Sequence, residues 1–267
     1  MKNMILITGA TDGIGLETAK LLASNGHDLL IHGRNIEKLN SVKKLLTAIA
    51  NAGRINGYLA DLSVFSDVAK LVSNIKNEHK NLDVLINNAG VFKINNTMTS
   101  DGLDVRFVVN TISPYILTQE LLPLLGNSGR IINLSSAAQA PVNIQALLGK
   151  TKLSDIEAYA QSKLAITMWS KVLADKIDDK GPTIIAVNPG SLLASKMVKE
   201  GFGVAGHDLS IGAKILTRMA LEGGISEHSG QYFDNDSGQF SQPHPDGLNL
   251  KKSAEVVGVI ETIINRS

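Results

Sequence analysis

Short apolar runs alternate with segments of helical period from the first residues of the chain. Met4–Thr8 reads as a buried strand, and Ile14–Asn25 as a helix that ends at Gly26. Asp28–His32 is the next strand, followed by a helix over Ile36–Ala50. Ile55–Leu59 leads into Asp61, and Phe65–His79 is helical. Leu82–Asn87 is a further strand, and a long helix covers Asp101–Leu125. Arg130–Ser135, a helix from Asp155 to Lys180 and the strand Thr183–Asn188 continue the rhythm. None of these strands shows period-two alternation, as expected where helices cover both faces of a sheet. Strand–helix–strand repetition with short connections predicts parallel strands and right-handed crossovers, hence one doubly wound α/β sheet.

The segment Leu192–Gly230 breaks the pattern, with one helical patch at Ile211–Leu221 among glycines. Gln231–Asp234 is predicted as the seventh and last strand. A polar loop, Asn235–Asn249, and a final helix over Ser253–Ile264 follow. Irregularity at the carboxyl edge of a parallel sheet is where ligands usually enter.

Composition narrows the possibilities. With 267 residues, 43% hydrophobic and 19% charged, the chain can bury a substantial core and is not a disordered one. Its formal charge of +1 comes without a run of one sign, so neither a nucleic acid nor an anionic membrane is expected as partner. The lack of cysteine excludes disulfides, thiol catalysis and thiolate metal sites. The start lacks the apolar stretch of a signal peptide, and no long apolar span follows; a soluble, cytoplasmic protein without a membrane anchor is expected. The six histidines show no metal-ligand spacing and read as surface or loop residues, so no metal is expected.

Two local patterns carry chemistry. Thr8-Gly9-Ala10-Thr11-Asp12-Gly13-Ile14-Gly15 lies between the first strand and the first helix. Glycines there let the chain turn tightly and approach a pyrophosphate, which the helix N-terminus then meets with free N–H groups and a positive dipole end. Tyr159 and Lys163 are four apart, on one face of a predicted helix. An unperturbed phenol, with a pKa near ~10, is too weak for general acid–base work at neutral pH. A nearby ammonium favours the phenolate and lowers that value, so the pair gains meaning beside a cofactor turn.

With these motifs the chain resembles the short-chain dehydrogenase/reductase family over essentially its whole length. Thr8–Gly15 is similar to the TGxxxGxG turn, Asn87-Asn88-Ala89-Gly90 to NNAG, and Tyr159-x-x-x-Lys163 to the catalytic pair. Asn133-Leu134-Ser135-Ser136 is similar to the strand end that delivers the catalytic serine, and Asn188-Pro189-Gly190 to the turn beside the nicotinamide. The resemblance implies a single Rossmann domain over residues 1–267 with a mainly parallel seven-stranded sheet. Its implied function is hydride transfer between a nicotinamide and a carbonyl or alcohol. By the same resemblance Tyr159 exchanges the proton, Lys163 lowers its pKa and binds the nicotinamide ribose, and Ser136 rather than Ser135 holds the substrate oxygen. Asn110 resembles the helix asparagine that holds a relay water. Asp61 and Leu62 match the pair that contacts adenine, and Asn88, Ala89 and Gly90 line the adenosine ribose. Thr8, Gly9, Thr11, Asp12, Gly13, Ile14, Gly15, Pro189 and Gly190 complete the implied cofactor set.

Ser136 and Tyr159 are 23 residues apart, more than the spacing of compact members. The insertion, 142–153, and Gly230-Gln231-Tyr232-Phe233 resemble the retinol-dehydrogenase-like and WW-domain-oxidoreductase-like branch. Ala194 stands where the family commonly has a threonine that meets the carboxamide, with Ser195 next to it. Cofactor choice follows from the end of the second strand: Gly33 replaces the acid that accepts from the ribose 2′-OH, and Arg34 offers a guanidinium to a 2′-phosphate. NADP(H) is therefore expected over NAD(H), with Asp12 as a counter-signal. Leu192–Leu209 reads as an apolar lid over an apolar small-molecule substrate, with Met197, Val198, Phe202 and Val204 as wall residues. Trp169 reads as packing, or as part of the pairing surface of a homodimer or homotetramer. A catalytically silent dinucleotide sensor on the same fold is the competing class; such proteins lose the tyrosine or lysine, which this chain keeps.

Overall fold

The computed structural model describes residues 2–177, 181–194, 203 and 205–266. The strands are β1 (Met4–Ile7), β2 (Asp28–Gly33), β3 (Ile55–Leu59), β4 (Val84–Asn87), β5 (Arg130–Leu134), β6 (Thr183–Asn188), β7 (Tyr232–Asp234) and β8 (Gln239–Ser241). They form one sheet in the order β3-β2-β1-β4-β5-β6-β7-β8. Neighbours are parallel except β8, which runs antiparallel to β7. The sheet thus has eight strands, not the seven expected. The eighth lies inside the segment read as a polar loop. Its three residues hold one apolar side chain, Phe240, too little for a strand signal. Phe240 is fixed by tertiary contacts, stacked on His228 at 3.9 Å and edge-on to Phe233 at 5.1 Å.

The helices are α1 (Gly13–Ser24), α2 (Ile36–Thr47), α3 (Phe65–Glu78), α4 (Val105–Phe107), α5 (Ser113–Leu125), α6 (Ile144–Leu147), α7 (Asp155–Ile177), α8 (Leu209–Leu221) and α9 (Leu250–Ile264). Two apolar clusters cover the two faces of the sheet. One joins α3, α5, α7 and α9 to it, and the other joins α1, α2 and α8. Strands β1, β2, β4, β5 and β6 were legible as apolar runs because both of their faces are largely buried. No helix among the described residues is long and apolar enough to cross a membrane.

Three departures from the predicted elements bear on function. The long helix expected over Asp101–Leu125 starts at Val105 and widens into a π-helical turn, Val108–Ile112, before α5. Such turns often mark functional sites, and Asn110 sits at the centre of this one. The insertion is partly ordered as α6, whose N-terminus is capped by Asn143. His27 and His32, expected on the surface, are buried at the two ends of β2. Trp169 is wholly buried on α7, edge-on to Tyr115 at 5.5 Å, so it packs within the chain and offers no surface to a partner.

A buried ion pair ties the two helices that flank the site. The Arg106 guanidinium donates to both carboxylate oxygens of Asp104, at 2.8 and 2.6 Å, and also to Asp155. Asp155 opens α7 one turn before Tyr159, and Asp104 caps α4, just ahead of Asn110. A second tie lies further along: the Asn110 amide donates to Ser162 Oγ at 2.9 Å, and Thr111 Oγ1 to the Ser162 carbonyl at 2.8 Å.

Candidate active site

A cleft of about 540 Å³ opens at the carboxyl edge of the sheet beside the neighbouring strands β1 and β4, whose connections lead to opposite sides of the sheet. In a doubly wound sheet this is the switch point, where ligands bind. The turn after β1 forms one wall. Asp12 caps α1 by accepting from Gly13 N at 2.8 Å, so the remaining first-turn N–H groups stay free for an anion. Gly9 adopts φ +64°, and a Cβ on Gly15 would lie 2.3 Å from the Gly9 carbonyl oxygen. The turn therefore folds against itself and against Asn88, whose amide donates to the Thr8 and Gly9 carbonyls at 2.8 and 3.1 Å.

Gly9, Thr11, Asp12, Gly13, Ile14 and Gly15 all line the cleft, as do Asn88, Ala89 and Gly90. Thr8 does not. It is buried, and its hydroxyl accepts from the backbone N–H groups of Asn88 and Ala89, both at 3.0 Å. Its place is beneath the turn, fastening β1 to β4.

Arg34, Asp61 and Leu62 line the far end of the same cleft. Arg34 is exposed and has no hydrogen bond or ion pair among the described residues. Asn35 and Lys38, which the sequence reading missed, join it there. Lys38 Nζ lies 3.4 Å from Asp12, so the counter-signal carboxylate is already facing a cation. Gly33 is crowded: a Cβ there would meet Thr11 Cγ2 at 2.5 Å, so a side chain would require Thr11 to shift. Asp61 accepts from the Ser63 N–H and hydroxyl at 2.9 and 2.7 Å, which fixes the turn after β3.

Tyr159 and Lys163 face the middle of the cleft from α7, with Lys163 Nζ 5.7 Å from the Tyr159 ring centre. Lys163 is 4% exposed, and burial lowers its pKa to about 8. Its ammonium donates to the Leu134 carbonyl at 2.7 Å, which uses one of its three protons. Two donors of a buried cation thus remain for a ligand. The Tyr159 phenol is half-buried. Its pKa is raised, because burial outweighs the Ser136 hydroxyl, which acts to lower it.

Ser135 and Ser136 leave β5 in opposite directions. The Ser135 hydroxyl donates to the Lys163 carbonyl at 2.8 Å and lies 2.7 Å from Thr167 Oγ1, turned into α7. Ser136 is the one that faces Tyr159. It is not among the cleft-lining residues; its Oγ accepts from Ala138 N at 3.1 Å. Asn110 also stands behind the cleft wall. Its amide donates to the Val91 carbonyl at 3.0 Å and to Ser162, and its oxygen accepts from Val91 N at 2.8 Å. One acceptor lone pair of the side chain remains. Phe92, buried, packs on the Tyr159 ring at 5.1 Å and adds an apolar wall that the sequence reading did not single out.

Pro189 lines the cleft, with Gly190 at its side but not on the wall. This turn is clamped from the β7–β8 hairpin, another contribution missed in the sequence. Asn188 donates to Asp234 and Asp236 at 2.8 and 2.9 Å, and Asp236 accepts from Ser191 N at 2.7 Å. Beyond it the chain crosses itself. Ala194 N donates to the His207 carbonyl at 2.6 Å, and His207 N to the Leu192 carbonyl at 2.7 Å. Ser195, Met197, Val198, Phe202 and Val204 lie outside the described residues. No group of three or more histidine or acidic side chains among the described residues could hold a metal.

The family model for short chain dehydrogenases matches residues 3–202. Retinol dehydrogenase 13 of Homo sapiens is 29% identical over 279 residues, covering 96% of this chain and 84% of the relative. A structure of a putative uncharacterized protein from Mycobacterium paratuberculosis superposes with a TM-score of 0.80 at 24% identity, over 98% of this chain and 92% of that one. A short-chain dehydrogenase from Burkholderia cenocepacia in complex with NADP is 26% identical, with a TM-score of 0.71, over 87% of this chain and 95% of that one. The chain belongs to the short-chain dehydrogenase family, in its retinol-dehydrogenase-like branch, and is an oxidoreductase acting on CH–OH groups.

Proposed function

We propose that the chain is an NADP(H)-dependent oxidoreductase interconverting a carbonyl and a primary or secondary alcohol on an apolar small molecule, with Tyr159 as general acid and base. The observation that carries the reading is the near-fully buried Lys163 ammonium, with two unused donors, beside a phenol in a cleft that a glycine turn closes at the other end. The residues suit a dinucleotide. Glycines whose Cβ would collide with the opposite wall keep the turn narrow, and Arg34 and Lys38 stand where a 2′-phosphate would lie. When bound, the nicotinamide supplies or accepts the hydride.

The protein's own groups do the rest. Ser136 and Tyr159 hold the substrate oxygen between them, and Tyr159 gives it a proton in reduction or takes one in oxidation. Burial keeps the phenol protonated, so it begins reduction as a competent donor. Lys163 binds the ribose hydroxyls and stabilises the phenolate left behind. The free lone pair of Asn110 suits a relay water that returns a proton. Phe92 and Ile94 give the substrate end an apolar wall.

Retinol dehydrogenase 13 is named for retinol, and the Burkholderia structure holds NADP. Both names support apolar alcohols and NADP(H) here. A panel of aliphatic and polyene aldehydes, ketones and alcohols, followed by NADPH absorbance, tests the reading. Turnover of an apolar member is expected; oxidation or reduction of none, with bound NADPH, would overturn it.

A further inference from the structure

His32 closes β2 as a polar side chain in an otherwise apolar run, 3% exposed. Its ring touches two backbones that belong to different parts of the cleft. Nδ1 accepts from Gly9 N at 3.1 Å, in the turn after β1. Nε2 lies 3.0 Å from the carbonyl oxygen of Ala60, the residue before Asp61. An oxygen can only accept, so Nε2 carries the proton and Nδ1 is bare; one neutral tautomer satisfies both contacts. The backbone adds a third link, because Ala10 N donates to the His32 carbonyl at 2.9 Å. The carboxyl ends of β1, β2 and β3 are thereby joined at the line a dinucleotide must cross.

We propose that His32 is a positioning residue for cofactor binding, its ring fastening Gly9 of the pyrophosphate turn to Ala60 beside Asp61 on the adenosine side. This rests on the reading that the cleft takes NADP(H). His32 lines the cleft with its ring bonded to both backbones, and it acts by holding them. Gly9 sits at φ +64°, half-buried, with its N–H donated to the ring. Loss of the acceptor leaves the Gly9 N–H without its partner, and the turn relaxes until that group finds another one. The relaxed turn must be reordered each time cofactor binds, and that cost appears in affinity. The hydride-transfer end, on α7 and β5, does not touch the ring. The effect therefore belongs to cofactor affinity and not to turnover at saturation.

Three substitutions separate the two contacts. Asn places its Oδ1 near Nδ1 and keeps the Gly9 bond; Gln reaches the Nε2 position and keeps the Ala60 bond; Leu keeps bulk and neither bond. NADPH dissociation constants of the cofactor-free proteins are measured by calorimetry, with KM for NADPH and kcat measured beside them. H32L is expected to bind NADPH at least tenfold more weakly, H32Q almost as weakly, and H32N within about threefold of wild type. In every variant kcat at saturating NADPH is expected to stay within twofold. If H32L does not fold, the ranking of H32N over H32Q decides alone. Equal affinities for H32N and H32Q, wild-type affinity in H32L, or kcat falling with affinity would overturn the proposal. A wild-type protein that binds neither NADPH nor NADH would overturn the cofactor reading and this proposal together.

Discussion

Removing the Arg34 guanidinium isolates the origin of cofactor choice. Arg34 is exposed, has no partner among the described residues and stands one residue past Gly33, which offers no carboxylate. A hydrogen bond to a charged group is worth ~1.5–3 kcal/mol. Solvent screening at an exposed site puts this one in the lower part of that range, ~1.5–2 kcal/mol, or roughly 10- to 30-fold in affinity. R34A should therefore weaken NADPH by that factor and leave NADH within about twofold. Lys38 keeps part of the preference, but its side chain is 59% exposed and shared with Asp12 at 3.4 Å. An exposed pair at about that distance is worth ~1 kcal/mol. D12N, which preserves the helix cap, should release Lys38 and strengthen NADPH binding by up to about fivefold. Calorimetric titration of both cofactors at two salt concentrations provides the assay. The NADPH advantage should shrink as salt rises, because exposed charges are screened. R34A weakening NADPH and NADH alike, or changing neither, would refute the reasoning.

Other perturbations test other parts of the molecule. S136A should lower turnover with thermal stability intact. S135A should instead lose about 1 kcal/mol of stability with turnover within a few fold, since its hydroxyl serves α7; the reverse pattern in a paired assay would refute the assignment. R106M leaves the largely buried Asp104 unpaired and should cost ~3–5 kcal/mol, a fall in Tm of roughly 6–20 °C; a shift under two degrees by calorimetry would show that the pair is not needed. His32 is held neutral, its pKa lowered to about 4 by burial, with the Ala60 carbonyl and Asp61 opposing. Since the native state binds this proton less readily than the unfolded chain, the ring's contribution is fully present above about pH 6.5. It is lost as pH falls, wholly so below about pH 4, and totals ~3 kcal/mol. Denaturant melts of wild type and H32N between pH 7 and 4.5 should diverge toward acid; parallel curves would contradict this.

The sequence was most readable where chemistry is local. The turn from Gly9 to Gly15 and the Tyr159–Lys163 pair are fixed by spacing along a few residues, and the cleft brings both together. The central parallel strands announced themselves as apolar runs because helices cover both of their faces, whereas β3, at the sheet edge, keeps Gly57 and Leu59 exposed. What stayed hidden depends on distant partners. Lys38 looks like any charged residue on an exposed helix face until α2 is packed beside Asp12. Asp236 reads as loop, yet it closes on Ser191 across 45 positions. The π-helical turn around Asn110 leaves no periodic mark, since all five of its residues are buried. His32 did leave a signal, one polar side chain at the end of Leu29-Leu30-Ile31, but a search for metal-ligand spacing passes over a histidine that serves two backbones. The raised phenol of Tyr159 could not be read from residue order at all, because burial decides its sign.

The central claim is that Tyr159 moves the proton that accompanies hydride transfer. Y159F keeps the ring and its contact with Phe92 but removes the dissociable proton. Turnover of the best carbonyl substrate with saturating NADPH, measured beside the NADPH dissociation constant, tests it directly. Turnover should fall by at least ~10²-fold, the usual contribution of a positioned acid–base group, with affinity within about twofold. Near wild-type turnover in Y159F, with cofactor bound as before, would contradict the account.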